Sequence, residues 1–385
     1  MNTDTIKGFD DYVGELATKR AVIQEIVRQN FERFGFNPTE TPIIESEEFV
    51  RGENPNDEAV SDIFKLKDKG NRKLALRYEL TFPLKRIAKN KKLPFKRYQI
   101  GPVFRDEPIK GNRGRQFISC DVDIVGSTIK DDAEILSLVN NILKSLKIEG
   151  VIFVNNRKLL NEILKTEKIE EKYFEEVIRE IDKLDKLSSK EVYDNLKKYN
   201  AENLLKIFNK EEKYFERYES YNEIKELREY CNNYSVKFEF MPSLARGLSY
   251  YTGTVFEIKT KNIKETIFGG GSYNFDGVQG VGFGVSIERL ELVTNLQIEL
   301  EKYLIVSLNE DKKAIKLANQ LREQGKNVSI FYGKPSKALD YANSYKIQKV
   351  IFVGKKEVEK KQMIVKDMKT GKQIIFKIKE SAKLK

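Results

Sequence analysis

The chain contains no histidine in 385 residues, and this one absence removes several mechanisms. There is no Ser-His-Asp triad, no His-ligated zinc and no imidazole general base. Its chemistry must therefore use carboxylates, arginines, tyrosines, backbone groups or a hydrated metal ion. Cysteine is scarce too: only Cys120 and Cys231 occur, in unrelated contexts. Two such residues fit a reduced, cytosolic protein in which both are small buried side chains, not a disulfide framework. No run of eighteen or more apolar residues exists, so no membrane span is expected. The opening segment, MNTDTIKGFDDYVGEL, carries acids and lacks the apolar stretch of a secretory signal.

What is present reads as a folded protein with a densely charged surface: 40% of residues are hydrophobic and 34% charged. At 385 residues, two or three domains are expected. The net charge of +11 is informative once located. Residues 301–385 hold 21 Lys and Arg against 9 Asp and Glu, a net of +12, so the first 300 residues are nearly neutral at −1. A basic module beside a neutral body suits contact with a polyanion, most simply nucleic acid. The plainer reading is a Lys-rich solvated surface.

Along the chain, Leu16, Ala21, Val22, Ile26, Val27 and Phe31 recur at helical spacing over 11–35, with Gly35 as a stop. FNPTETPIIE follows as an extended segment, since Pro38 and Pro42 forbid helix. Segments 74–78, 97–105 and 117–125 are β-like, and the polar loop PIKGNRGR between the last two is expected to be mobile without a ligand. Residues 155–232 change to charged helical sequence and read as a helical insertion. Gly-rich strands return at 236–290. The tail alternates YLIVSL, DKKAIKLANQLREQG, NVSIFY, PSKALDYANSYK and KVIFVG, a compact αβ module with a parallel sheet.

Three stretches could carry chemistry. In FRDE, Arg105 and Glu107 alternate on one side of a strand, with Arg115 and Phe117 across the loop. A guanidinium fork holds phosphate oxygens, an aromatic face stacks on a base, and a carboxylate accepts from an exocyclic amine. In GVGFGVSIERL, a glycine-rich strand enters a helix bearing Arg289, the glycines allowing close packing or close ligand approach. RGLSYYTGTVFEI and FGGGSYN place two tyrosines and a glycine triplet where they could line a small polar pocket. Each alone has an ordinary structural explanation: a solvated strand face, packing glycines or half-buried tyrosines.

Together they resemble a known family. FRDE with RQF resembles motif 2 of class II aminoacyl-tRNA synthetases, GFGVSIERL motif 3, and FGFNPTETPIIE motif 1 with Pro42 as its proline. LARGLSYYTGTVFE with GGGSYN is similar to the two histidine signatures of histidyl-tRNA synthetases, and LRYELT to their amino-acid-binding strand. The tail is similar to the class IIa anticodon-binding domain. The resemblance implies an α+β catalytic domain with a mixed, mainly antiparallel sheet over 1–154 and 233–299. It further implies a helical insertion over 155–232 and a C-terminal α/β anticodon-binding-like domain over 300–385.

It also implies ATP with Mg²⁺, L-histidine and tRNA(His) as ligands, and a homodimer through the motif 1 region. Arg105 would hold the α-phosphate, Glu107 the adenine amine, and Phe117 and Arg289 the two faces of the adenine. Arg113 and Arg115 would reach the outer phosphates. Glu79 and Thr81 would hold the α-amino group, and Arg246 the α-phosphate and the substrate carboxylate. Tyr250, Tyr251 and Asp123 would line the imidazole pocket, with no protein-bound metal. Ser119 stands where the family usually has a pocket glutamine, which a bridging water could replace. Ser249 and Ser272 depart from RGLDYYTG and GGGRYD. The regulatory subunit of ATP phosphoribosyltransferase shares this catalytic domain, but it normally lacks the tail.

Overall fold

The computed structural model describes residues 1–52, 62–109, 114–185, 187–246, 250–275, 277–298, 301–360 and 362–377. They form two compact units, Met1–Leu296 and Gln297–Lys385.

In the first unit the strands follow as β1 (Asn37–Pro38), β2 (Ile44–Ser46), β3 (Lys65–Lys67), β4 (Lys73–Leu76) and β5 (Phe95–Phe104). Then come β6 (Gln116–Val125), β7 (Val151–Asn156), β8 (Glu239–Phe240), β9 (Tyr251–Lys259), β10 (Phe268–Phe275) and β11 (Val278–Ser286). The main sheet runs β1-β5-β6-β11-β10-β9-β7-β8. It is antiparallel except at its two edges, where β1 pairs with β5 and β8 with β7 in parallel. A small antiparallel sheet, β2-β4-β3, stands apart. This matches the expected mixed, mainly antiparallel sheet.

Strand periodicity gives the main sheet two unlike faces. Tyr98, Cys120, Val122, Ile124, Phe256, Phe268, Val281 and Phe283 lie in one buried apolar cluster. Ile23, Val27 and Phe31 of helix Gly14–Arg33 join that cluster, as do Ile135, Leu136, Val139 and Ile142 of helix Ile129–Ser145. Thr128 and Asp131 start the second helix with a reciprocal capping box. Residues 157–233 supply further helices, whose Leu160, Ile163, Ile178, Leu196 and Leu227 enter the same cluster as the sheet. Both cysteines are buried and free, as expected.

A buried carboxylate lies on this apolar side. Asp132 is buried, accepting from Ser272 Oγ at 2.8 Å, while its Oδ1 finds no hydrogen-bond partner among the described residues. Burial pushes its carboxyl up to about 7 from an ordinary 3.8, although the Thr254 and Ser272 hydroxyls act against the rise. The folded chain therefore keeps a proton that the unfolded chain loses. The ionised carboxylate lowers stability progressively as pH climbs through that window, by on the order of 4 kcal/mol above it. Asp132→Asn should raise the melting temperature more at about pH 8 than at about pH 5, read by thermal unfolding at both. A gain of equal size at the two values would remove Asp132 from the account.

The second unit has β12 (Lys302–Ser307), β13 (Asn327–Tyr332), β14 (Lys349–Val353), β15 (Gln362–Asp367) and β16 (Gln373–Lys377), ordered β13-β12-β14-β15-β16. The first three are parallel, as the alternation of strand and helix predicts. An antiparallel hairpin, β15–β16, then extends that parallel core into a mixed sheet. A hairpin needs only a turn, here around Thr370 and Gly371 (φ +71°), so no crossover helix announces it.

Candidate active site

The polar face of the main sheet carries the chemistry-bearing residues. Alternation on β6 places Phe117, Ser119, Asp121 and Asp123 on the side away from the apolar cluster. Register sets Asp123 opposite Arg97 on β5 and Gly282 on β11, and Asp121 opposite Gln99 and Gly284. A side chain at position 282 would collide with the Asp123 carboxylate, and one at 284 would begin 3.1 Å from Asp121 Oδ1. At position 280 it would strike the Tyr273 ring. The glycines of GVGFG thus leave room for the acidic residues and for that tyrosine.

Asp123 and Arg97 form an ion pair at 2.5 Å, both almost wholly excluded from solvent. Tyr273 donates its hydroxyl to Asp123 Oδ1 at 2.6 Å. Burial pushes the Asp123 carboxyl up to about 7, with Arg97 and the Tyr273 hydrogen bond opposing it. Two residues earlier, Asp121 is also buried and raised by burial; Arg97 and the Ser119 hydroxyl pull it back. Glu79 is pushed up to about 7 by burial and then by Asp121. Tyr251 pairs with Tyr273 across β9 and β10, and Tyr250 meets the Tyr251 ring at 4.7 Å and the Tyr273 ring at 6.1 Å.

Glu79 is presented by RYELT, a segment held by three arginines. Arg77 donates to the carbonyls of Pro102 and Thr41 at 2.8 Å each. Arg97 donates to Leu80 O at 2.8 Å, and Arg105 to Tyr78 O at 3.2 Å. Thr81 begins the next turn, its carbonyl accepting from Leu84 N–H. Arginine forks on carbonyls fix a segment that has no strand ladder of its own.

Beside this pocket stand the arginines. Arg105 lies 5.3 Å over the Phe117 ring and 3.6 Å from Glu107. Arg115 reaches Glu107 O at 3.3 Å and Asp106 at 3.4 Å, and its own N–H donates to Gly8 O. Arg246 pairs with Glu257 at 2.8 Å and rests 5.9 Å over the Tyr251 ring. Gly269 is what admits it, because any side chain there would overlap the Arg246 guanidinium. Glu257 also accepts from Thr266 Oγ1 at 2.7 Å, and Thr266 O accepts from Arg289 at 2.6 Å. Arg246 and Arg289 are thereby joined through two residues.

Several sequence expectations are refined by this geometry. The strand expected to run through FRDE ends at Phe104, because Asp106 N–H turns away to Asp62 O. Arg105 N–H still bonds Arg115 O, so the two arginines remain adjacent. Arg113, with half of the loop PIKGNRGR, and Ser249 lie outside the described residues. Ser119 Oγ donates to Asp121 Oδ1 at 2.5 Å, not into the space a longer glutamine would fill. Tyr273, Arg97, Asp121 and Glu257 were not singled out by sequence reasoning. Tyr273 had a signal, lying within GGGSYN, but only strand register reveals its partner 150 residues earlier.

Comparisons with known proteins speak to the chain as a whole. A family profile described as histidyl-tRNA synthetase matches residues 8–290, and one described as anticodon binding domain matches 302–384. The chain is 33% identical to histidine–tRNA ligase 1 of Bacillus cereus, covering 97% of each chain. It is 34% identical to the histidine–tRNA ligase of Methanocaldococcus jannaschii, again over 97% of both. The crystal structure of a histidyl-tRNA synthetase from Nostoc sp. PCC 7120 superposes with a TM-score of 0.85 at 24% identity, covering 99% of this chain and 98% of that one, a likeness of fold. On profile, identity and coverage together, this chain belongs to the histidyl-tRNA synthetase family.

Proposed function

We propose that the protein is a histidine–tRNA ligase, which joins L-histidine to AMP from ATP and then passes the histidyl group to the 3′ end of tRNA(His). The observation that carries this reading is one sheet face on which a buried acidic pocket adjoins three arginines. Glu79 and Asp123 suit the cationic and hydrogen-bonding parts of an amino acid, while Arg105, Arg246 and Arg289 suit a nucleotide.

Activation brings a carboxylate oxygen onto the α-phosphorus and expels pyrophosphate. Two anions must meet, so fixed guanidinium groups do the essential work by stabilising charge that builds on the α-phosphate. No proton is removed in that step, and a site without histidine loses nothing. In the second step a terminal ribose hydroxyl attacks the histidyl carbonyl, AMP leaves, and its phosphate can take the proton. Arg105 and Arg246 hold the α-phosphate, and Arg113 and Arg115 the outer phosphates. Phe117 and Arg289 flank the adenine, and Glu107 accepts from its amine. Thr81 assists Glu79 at the ammonium group, and Tyr250, Tyr251 and Tyr273 wall the imidazole.

Among the described residues no group of three or more acidic or thiol side chains converges to hold a metal, and Glu257 is already engaged by Arg246 and Thr266. Mg²⁺, bound to the nucleotide phosphates, would add positive charge there. We assign the protein to the cytoplasm and to a homodimer built on the motif 1 region. Ile43, Ile44 and Leu66 support the dimer, leaving apolar side chains 41%, 50% and 36% exposed on and beside the small β2-β4-β3 sheet.

The test is ATP–pyrophosphate exchange with each of the twenty amino acids. L-histidine alone should stimulate it. Stimulation by proline or threonine instead would move the chain to a sibling specificity, and no stimulation at all would favour a regulatory role.

A further inference from the structure

We propose that Asp121 is a second carboxylate for the substrate's α-ammonium group, and that Ser119 positions Asp121 instead of touching the substrate. The proposal rests on the histidine–tRNA ligase reading and adds residues to it. Three carboxylates face this pocket, and they are not equivalent. Asp123 is neutralised within the protein by Arg97 and further engaged by Tyr273. Asp121 accepts from Ser119 Oγ and from the Leu80 backbone N–H, and the charges of Arg97 and Arg105 act on it, but among the described residues no basic side chain forms a direct ion pair with it. Glu79 accepts from the Phe82 N–H and likewise has no ion-pair partner there.

Asp121 and Glu79 are also close enough that Asp121 is the strongest single charge acting on Glu79. Two adjacent buried carboxylates cannot both ionise cheaply unless a cation joins them. An ammonium group brings one positive charge and three donors, which matches a pair of acceptors on neighbouring segments. Ser119 has one hydroxyl proton, and at 2.5 Å it is directed to Asp121. That hydrogen bond favours the ionised form of Asp121 and fixes its rotamer, while Gly284 leaves space on the other side. The glutamine-to-serine departure thus exchanges a neutral contact for a charged one carried by the next residue on the same face.

The experiment uses three ligands on the full chain: L-histidine in pyrophosphate exchange, with histidinol and 3-(imidazol-4-yl)propionate as competitive inhibitors. Histidinol keeps the ammonium group, whereas the propionate lacks it. Asp121→Asn should raise the histidine KM and the histidinol inhibition constant together by about 30-fold, as expected for loss of a charge-assisted hydrogen bond. It should leave kcat and the propionate constant within a few-fold. Ser119→Ala should raise the histidine KM by a smaller factor, and Ser119→Thr, which retains the hydroxyl, should restore it. Loss of propionate binding in D121N would make Asp121 part of the pocket frame and overturn the proposal. An unchanged histidine KM in D121N, or equal effects of the alanine and threonine variants at 119, would overturn it too. Absence of histidine-stimulated exchange in the unaltered chain would refute the ligase reading instead, so the two failures are distinct.

Discussion

Arg246→Lys should slow histidine-dependent pyrophosphate exchange by at least about 100-fold, in line with removal of one preorganised donor from a charged transition state. Lysine keeps the charge but loses the planar fork that can hold an α-phosphate oxygen and a carboxylate oxygen at once. The surroundings are built for that fork. Glu257 holds one guanidinium nitrogen at 2.8 Å, the Tyr251 ring lies beneath, and Gly269 leaves the space the guanidinium fills. A fall mainly in kcat, with the KM for ATP little changed, would place the missing interaction in the transition state. Activity within a few-fold of the unaltered enzyme would instead make Arg246 a structural partner of Glu257.

Much of this site is legible in the residues alone. The alternation in FRDE sets Arg105 beside Glu107, and the two lie 3.6 Å apart, while the family resemblance assigns Arg105, Phe117, Arg246 and Arg289 to the nucleotide. What stays hidden depends on register and on distance along the chain. The glycines of GVGFG and FGGG suggest close approach, but not that the approaching groups are Asp123, Tyr273 and Arg246. Arg97 reads as one more base in a lysine-rich stretch, yet it is wholly buried and paired because β5 sets it opposite Asp123. The Ser119–Asp121 hydrogen bond is local, two residues apart on one strand. It escapes a reading that compares Ser119 with the family's glutamine and not with its own neighbour.

A chain ending at Leu296 should keep histidine-dependent pyrophosphate exchange and lose efficient tRNA charging. The first unit, Met1–Leu296, contains every described residue assigned to ATP and histidine. The second has apolar layers of its own on both sides of its sheet. Tyr303, Ile305, Leu317, Leu321 and Ile351 form one layer, and Leu304, Val306, Ala338, Ala342 and Val350 the other. Its removal therefore need not open the core of the body. Charge divides along nearly the same boundary, with 21 basic and 9 acidic residues in 301–385 and near-neutrality before it. Lysines that bind phosphate release counterions, so the tail should supply the salt-sensitive part of tRNA affinity, and exposed Tyr332 and Tyr345 offer faces on which bases can stack. In the shortened chain, kcat/KM for tRNA should fall by at least about 100-fold, mainly through KM. Its log–log salt slope should become shallower by about 0.7 to 0.9 for each phosphate that is no longer neutralised. Exchange with histidine should continue at a rate within a few-fold. Full charging efficiency with an unchanged salt slope would make the basic tail a solvated surface and move tRNA binding onto the neutral body.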